Sequence, residues 1–215
     1  MKQAKLSVGT MQRMATLFIL VVIMIALSFI SDKYLNFNNL INIVRQESTL
    51  IIIASAATIL MISGGMDLSP AGVMALTSVI LAKLCVAGVS LPVAIMISLL
   101  VGAVTGLFSG LLVVVTNVPP MIATLGTWYI TKGLAYALSH SYAIVQGLPE
   151  NFGWISKYVG PFPLMVVIAA VIFIIFYIIL NKTLLGKYAY AIGGNAETAR
   201  LSGVRVKTIQ CTLYV

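Results

Sequence analysis

The sequence contains little charge of either sign. Only 8% of its 215 residues are Asp, Glu, Lys or Arg, and just five are acidic, whereas soluble domains carry about 25% charged residues. Hydrophobic residues make up 60% of the chain, and the mean hydropathy is +1.09. A soluble fold cannot bury this much apolar surface, so the composition excludes a soluble domain and indicates a protein that is solvated by lipid.

Residue types that perform enzyme chemistry are also scarce. The one histidine, His140, is expected in an external loop, and histidine, cysteine and carboxylate residues nowhere have the spacing of a metal site. Cys85 and Cys211 lie in apolar segments, where buried thiols are expected in place of a disulfide. These absences argue against a membrane-embedded enzyme, and neither a metal nor another cofactor is expected in this chain.

Six apolar segments are long enough to cross a bilayer, which takes roughly 20 mostly apolar residues. They cover about 14–30, 48–63, 70–87, 91–115, 121–138 and 162–180, and a seventh begins near Thr208. The predicted fold class is therefore all-α, a polytopic transmembrane helix bundle with broken helices that forms one domain over 1–215. The first segment is longer than the core of a signal peptide and no cleavage site follows it, so we expect it to remain as a span.

The basic residues are distributed unevenly between the two ends of these segments. Six spans place residues 1–13 and 181–207 on the same side of the membrane. That side carries Lys2, Lys5, Arg13, Lys182, Lys187, Arg200, Arg205 and Lys207. By the positive-inside rule, the N-terminus and 181–207 are expected in the cytoplasm. The net charge of +8 then reflects orientation, and no nucleic-acid partner is expected.

The stretch "GGMDLSPAG", residues 64–72, interrupts the apolar sequence. Its two glycines readily adopt the left-handed conformation that ends a helix, and Ser69 followed by proline is typical of a helix start with a side-chain cap. Asp67 lies just before that start, where the helix dipole favours negative charge. The break lies either at membrane depth, lining a water-filled cavity, or in an ordinary tight cytoplasmic turn.

A second break follows at Pro119-Pro120, because proline begins a helix more readily than it continues one. The segment after it is too polar to face lipid, so it is expected to face the bundle or a water-filled path. Its Lys132 either lines that path or extends to the outer surface. The polar residues near the two breaks that we select as candidates for a solute pathway are Asp67, Ser69, Asn117, Thr124, Thr127 and Lys132.

Small residues recur every four positions in the fourth span, which places them on one face of the helix. Such a stripe lets two helices approach closely in lipid. The residues to which we assign this helix-packing role are Ser98, Gly102, Gly106 and Gly110.

The stretch "GGNAETARLSG" predicts a short helix with both ends marked. Asn195 is a good N-cap, Glu197 lies in the first turn, Arg200 lies in the last turn and Gly203 ends the helix. A helix of about seven residues is marginal alone in water. It is therefore expected to pack either on its own bundle or on a partner protein.

Three motifs resemble the membrane permease subunits of bacterial ABC importers for ribose, xylose, arabinose and galactosides. They are "GGMDLSPAGVMAL", "PPMIATLGTWYITKGLAYAL" and "GKYAYAIGGNAETARLSGVRV", and the resemblance covers essentially the whole chain. It implies a transport subunit, not an enzyme, that translocates a monosaccharide or related small polar solute. The implied partners are a cytoplasmic ATPase subunit, an extracytoplasmic sugar-binding protein and a second permease copy.

The resemblance also implies that 181–207 is a cytoplasmic coupling loop to the ATPase. Its coupling residues would be Gly193, Gly194, Asn195, Glu197, Arg200, Leu201 and Gly203. The chain has no P-loop pattern G-x-x-x-x-G-K-[ST], so ATP and its Mg²⁺ are expected on the partner subunit. Related branches carry autoinducer or nucleoside cargo, so the solute is left open. Family members have several further spans, and the chain is expected to be truncated at its C-terminus.

The residues alone leave a second transport mechanism open. In an ion- or proton-coupled secondary transporter, Asp67 and Lys132 would act as relay residues within the membrane. Such a transporter would lose uptake when an uncoupler is added, whereas an ATP-driven importer would lose uptake when ATP is depleted.

Overall fold

The computed structural model describes the backbone of residues 8–215 and side chains from Met14 onward. The basic residues Lys2 and Lys5 and the side chain of Arg13, on which part of the orientation argument depends, lie outside the described residues. The chain divides into two compact units, Met1–Glu47 and Ser48–Val215. Each unit is described by itself below.

The first unit contains α1 (Val8–Ile30) and the beginning of α2 (Phe37–Ile62). A turn separates the two helices, and the side-chain amide of Asn39 donates a hydrogen bond of 2.8 Å to the carbonyl oxygen of Tyr34 there. The sequence predicted that the second apolar segment begins at residue 48, so the start of α2 at Phe37 is a correction. The first turns of α2 are polar and were left out of an apolar segment, although asparagine, arginine and glutamate are compatible with an exposed helix.

The second unit is helical apart from a small loop region. After α2 come α3 (Pro70–Val86), α4 (Leu91–Thr116) and α5 (Pro120–Ser139). A 3-10 helix (Glu150–Ser156) then leads to β1 (Tyr158–Val159) and β2 (Phe162–Pro163), which pair antiparallel. The C-terminal part consists of α6 (Leu164–Lys182), α7 (Leu184–Gly194), α8 (Ala196–Leu201) and α9 (Val206–Leu213). The helical fold class predicted from the sequence is confirmed for the described residues.

Three of the described helices are long and apolar enough to cross a membrane, namely α2, α4 and α6. The segment Met14–Ile30 and α3 are apolar but shorter. The 20-residue α5 falls outside both groups, because threonines and Lys132 lower its hydropathy. Each of the six predicted segments therefore contains a helix, while the crossing of the bilayer by six of them stays a prediction.

The helices α3, α4 and α5 pack against one another, α9 packs on α4, and α6 packs on α7. The interior of this packing is formed largely by small and hydroxyl-bearing side chains. Ser109, Thr124 and Thr127 are at most 1% exposed. Large apolar side chains such as Leu100 and Ile122 lie on the outside, as expected for helices whose surroundings are hydrocarbon.

Candidate functional site

The predicted helix break at 64–72 is present. The helix α2 ends at Ile62, Gly64 has a left-handed φ of +82°, and α3 begins at Pro70. The predicted side-chain cap by Ser69 is wrong, because Ser69 has helical backbone angles (φ −77°, ψ −19°) and its hydroxyl caps nothing. A capping side chain needs an extended backbone at that position. Instead, the Asp67 carboxylate accepts a hydrogen bond of 2.8 Å from the Ser69 N–H, which makes a local Asx-type turn.

Two long-range hydrogen bonds fix the segment between the helices. The N–H of Leu68 donates to Thr124 Oγ1 on α5 at 3.1 Å. The phenol of Tyr214, just after α9, donates to the carbonyl oxygen of Met66 at 3.3 Å. The segment that carries Asp67 is therefore held by α5 on one side and by the end of α9 on the other.

A cleft of about 710 Å³ opens beside this segment. It lies between α2 on one side and α3 and α4 on the other, and Phe176 and the last residues of the chain also reach it. Most of its wall is apolar. Its polar members are Thr49, Asp67, Ser69, Thr77, Ser78, Ser98 and Tyr214.

Several hydroxyl groups of the cleft already use their proton within their own helix. Thr77 Oγ1 donates to the Val73 carbonyl at 2.9 Å, and Ser78 Oγ donates to the Met74 carbonyl at 2.7 Å. Their oxygen lone pairs are left to accept, as are those of the Asp67 carboxylate. The polar groups of the cleft therefore favour a ligand that donates hydrogen bonds, such as a polyhydroxylated solute.

The structure places two of the six pathway candidates, Asp67 and Ser69, on the wall of the cleft. Thr124 and Thr127 are buried between helices instead, where Thr124 accepts from Leu68 as described above. Ser109 Oγ donates to Thr127 Oγ1 at 2.9 Å. These two threonines join α5 to its neighbours, and the cleft lies elsewhere.

The remaining two candidates lie apart from the cleft. Asn117 is exposed at the end of α4 in a left-handed conformation with φ 55°. Lys132 is half-buried, and its ammonium group lies 5.3 Å from the ring centre of Trp128 and 5.9 Å from that of Tyr136. Both rings belong to α5, so the charge of Lys132 is placed by cation–π contacts along its own helix.

The small-residue stripe of α4 has two surroundings that overlap at Gly106. Ser98, Gly102 and Gly106 lie on the wall of the cleft, where small side chains leave room. A Cβ added to Gly106 would overlap the carbonyl oxygen of Tyr214, and one added to Gly110 would lie 3.1 Å from the carbonyl oxygen of Cys211. The C-terminal half of the stripe, Gly106 and Gly110, thus permits a close backbone approach by α9 and the residues just after it.

The predicted short helix between Asn195 and Gly203 is present as α8. Asn195 Oδ1 accepts a hydrogen bond of 2.9 Å from the Thr198 N–H, and Gly203 has a φ of +88°. Arg200 donates two hydrogen bonds to Glu197, at 2.9 and 2.6 Å. The guanidinium of Arg200 holds the pKa of the Glu197 carboxyl below its usual value, and Glu197 raises the pKa of Arg200.

The sequence did not predict α7, which precedes α8 within the stretch expected as a loop. Gly193, in its last turn, lies against the end of α2, where an added Cβ would overlap the carbonyl oxygen of Ile62. The neighbouring Gly194 has open space around its Cβ position. In α8, Leu201 is 75% exposed beside the charged pair. The predicted coupling residues thus include both a solvent-facing surface and a contact with α2.

Cleft residues that sequence reasoning missed are Thr49, Thr77, Ser78 and Tyr214. The first three are single hydroxyls in apolar helices, where a hydroxyl usually bonds to its own helix and carries no distinct signal. Tyr214 reaches the cleft only through the packing of α9 on α4, which no local pattern indicates.

Comparison with known proteins identifies a family and several individual relatives. Residues 39–215 match the family described as the branched-chain amino acid transport system permease component. The chain is 33% identical over 204 residues to the ribose import permease protein RbsC of Escherichia coli K12, covering 93% of this chain and 63% of that protein.

Two further relatives have different cargo in their names. The fructose import permease protein FruG of Bifidobacterium longum is 35% identical over 219 residues, with 93% of this chain and 61% of that protein covered. The autoinducer 2 import system permease protein LsrD of Escherichia coli is 31% identical over 202 residues, with 91% and 61% covered. The chain spans between 61 and 63% of the length of these three relatives. No solved structure matches it.

Proposed function

The chain belongs to the family of permease components of branched-chain amino acid transport systems, and on that premise we propose that it is the membrane permease subunit of an ATP-binding cassette importer. Its cargo would be a monosaccharide or a related small polar solute. The names of the relatives, which include ribose and fructose import permeases, support this cargo class. In this function the chain performs no covalent chemistry.

The observation that carries the proposal is the cleft beside Asp67. Its volume of about 710 Å³ lies within the range of small-molecule sites, which is about 300–1,000 Å³. Its polar groups mainly accept hydrogen bonds, and a sugar presents several hydroxyl donors. Each bond from the solute to the wall replaces one to water, which lowers the cost of removing the solute from water.

The proposed location of the protein is the inner membrane of a bacterial cell. The proposed arrangement has six spans, and the N-terminus and 181–207 lie in the cytoplasm. The positive-inside rule supports this orientation, because basic residues concentrate in those two regions. The exposed face of α8 would then meet the cytoplasmic ATPase subunit. That subunit would hold ATP and Mg²⁺, an extracytoplasmic sugar-binding protein would deliver the solute, and a second permease copy would complete the transporter.

The proposal is tested by replacing Asp67 with asparagine in the full-length protein, reconstituted with its ATPase and binding protein. Asparagine keeps the oxygen that accepts from Ser69 and removes the charge from the cleft. We expect Asp67→Asn to lower ATP-driven uptake of radiolabelled ribose by about tenfold or more, since a hydrogen bond to a charged group contributes about 1.5–3 kcal/mol.

The matched control is Asp32→Asn, which removes the same charge from an exposed position in the turn after α1. Uptake by this control should equal that of the unmutated protein. Equal uptake by Asp67→Asn would show that the solute does not pass this cleft. Uptake that collapses with an uncoupler at constant ATP would replace the ATP-driven mechanism by the ion-coupled one.

A further inference from the structure

We propose that α2 is the movable wall of the cleft and that Gly193 is the residue that positions it. The proposal rests on the proposed function, because it describes how a partner at α8 would act on the cleft. It concerns one contact between backbones, that of Gly193 with the C-terminal end of α2.

The part of α2 that borders the cleft has few buried residues within the described part of the chain. Residues at successive turns of this helix, among them Thr49, Ile53 and Leu60, face the cleft. Between Thr49 and Ile62, only Ile59 and Leu60 are buried. A helix face that borders a cavity lacks packing partners on that side. The opposite wall differs, because α3 and α4 pack against each other and α3 packs against α5.

The end of α2 is where another element touches it closely. A Cβ added to Gly193 would overlap the carbonyl oxygen of Ile62 and would lie 3.4 Å from the Cα of Ser63. Both surfaces are main chain, so neither has a flexible side chain that could absorb a displacement. A shift of Gly193 toward α2 must therefore move the end of α2.

Gly193 is firmly connected to α8. The N–H of Asn195 donates to the Ala191 carbonyl in α7 at 3.1 Å, and its side chain caps α8. One residue thus ends the first helix and begins the second. A force on the exposed face of α8 reaches Gly193 through this junction without a flexible linker.

The residues that follow the break, Met66 and Leu68, are held by elements other than α2 and do not move with it. Leu68 and Met66 are bonded to α5 and to Tyr214. The N–H groups of Gly64 and Gly65 still donate to the Met61 and Leu60 carbonyls of α2, both at 3.0 Å, so the two glycines belong to the end of α2. A displacement of Ile62 is therefore taken up between Gly65 and Met66, and Asp67 keeps its place on the wall. The distance between α2 and α3 is the quantity that such a movement changes.

Gly193→Ala and Gly194→Ala form a matched pair for the test, in the full-length protein with its ATPase subunit. The first adds a methyl group against Ile62, and the second adds one in open space. We expect both variants to co-purify with the ATPase subunit. Gly193→Ala should lower solute-stimulated ATP hydrolysis by about tenfold, within the range of coupling between sites, and Gly194→Ala should leave it unchanged.

A distance measurement reports on α2 directly. Spin labels are placed at Ala56→Cys on α2 and Met74→Cys on α3, with Cys85 and Cys211 replaced by alanine. We expect the label-to-label distance to change when the ATPase subunit binds ATP. The change should be absent in Gly193→Ala and present in Gly194→Ala.

The outcomes distinguish a failure of the movable wall, a failure of the role of Gly193 and a failure of the proposed function. A distance that does not respond to ATP in the protein with native Gly193 overturns the movable wall, whether or not Gly193→Ala can be purified. Equal behaviour of the two alanine variants overturns the role of Gly193. If the ATPase subunit fails to associate with the unmutated protein, the proposed function itself is wrong.

Discussion

At the scale of single residues, hydroxyl groups occupy the positions that large apolar side chains take in a soluble core. Ser109 donates to Thr127, and Thr127 in turn donates to the Ala123 carbonyl at 3.2 Å. Such bonds between membrane helices contribute about 0.6 kcal/mol on average. Close approach is therefore as important as the bonds themselves, and Gly72 lies where α3 and α5 approach each other closely.

The first prediction at this scale concerns Gly72. A Cβ at this position would lie 2.5 Å from both Thr131 Oγ1 and Trp128 Cδ1. Gly72→Ala should lower the stability of the detergent-solubilised protein by about 1–3 kcal/mol, the usual cost of overpacking. Thermal unfolding followed by tryptophan fluorescence measures this change.

Gly126→Ala is its control, because the Cβ position of Gly126 on α5 is open. There, alanine should leave stability unchanged or raise it by up to about 1 kcal/mol, since it restricts the unfolded chain. Equal melting temperatures for the two variants would contradict the close contact between α3 and α5.

At the scale of elements, α8 is a short helix whose outer face carries an ion pair and an exposed leucine. The pair between Glu197 and Arg200 is exposed, and a pair of this kind contributes little to stability. The lowered pKa of Glu197 means that its contribution is present at neutral pH and is lost as the pH falls through that lowered value. The charges are therefore better suited to meeting a partner than to holding the fold.

Reversing the charges of α8 tests that interpretation. Glu197→Lys or Arg200→Glu should leave the protein folded and should reduce both ATPase co-purification and solute-stimulated ATP hydrolysis. The double variant Glu197→Arg with Arg200→Glu restores an internal pair but inverts the surface. If the double variant regains full activity, the pair serves α8 alone and the surface does not dock the ATPase.

Some of these elements could be predicted from the sequence and others could not, for physical reasons. The break at Gly64 and the ends of α8 were predicted because caps and left-handed glycines are local signals. The helix α7 was missed because its residues were assigned to a polar loop, and the first turns of α2 were missed because they are polar. Asp67 and Ser69 were selected from the sequence, but the other walls of the cleft were beyond prediction, since it brings together residues from α2, α3, α4 and the C-terminal end that only tertiary packing makes neighbours.

At the scale of the whole molecule, the prediction concerns orientation in the membrane. Glu150→Cys should react with a membrane-impermeant maleimide in intact cells, whereas Ala196→Cys should react only after permeabilisation. Both positions are exposed, so accessibility within the fold does not limit the reaction. Labelling of Ala196→Cys in intact cells would exclude the six-span arrangement and the cytoplasmic placement of α8.

The hydroxyl-lined packing of α3, α4 and α5 also has a calorimetric consequence. Large apolar side chains such as Leu100 and Ile122 already face outward, so they meet hydrocarbon whether the helices are together or apart. Separating the helices thus transfers little apolar surface to water, and apolar hydration is the main source of the heat-capacity increase on unfolding. The free energy of helix separation should therefore vary almost linearly with temperature, without the pronounced maximum that a soluble domain shows near room temperature, and cooling alone should not drive the helices apart.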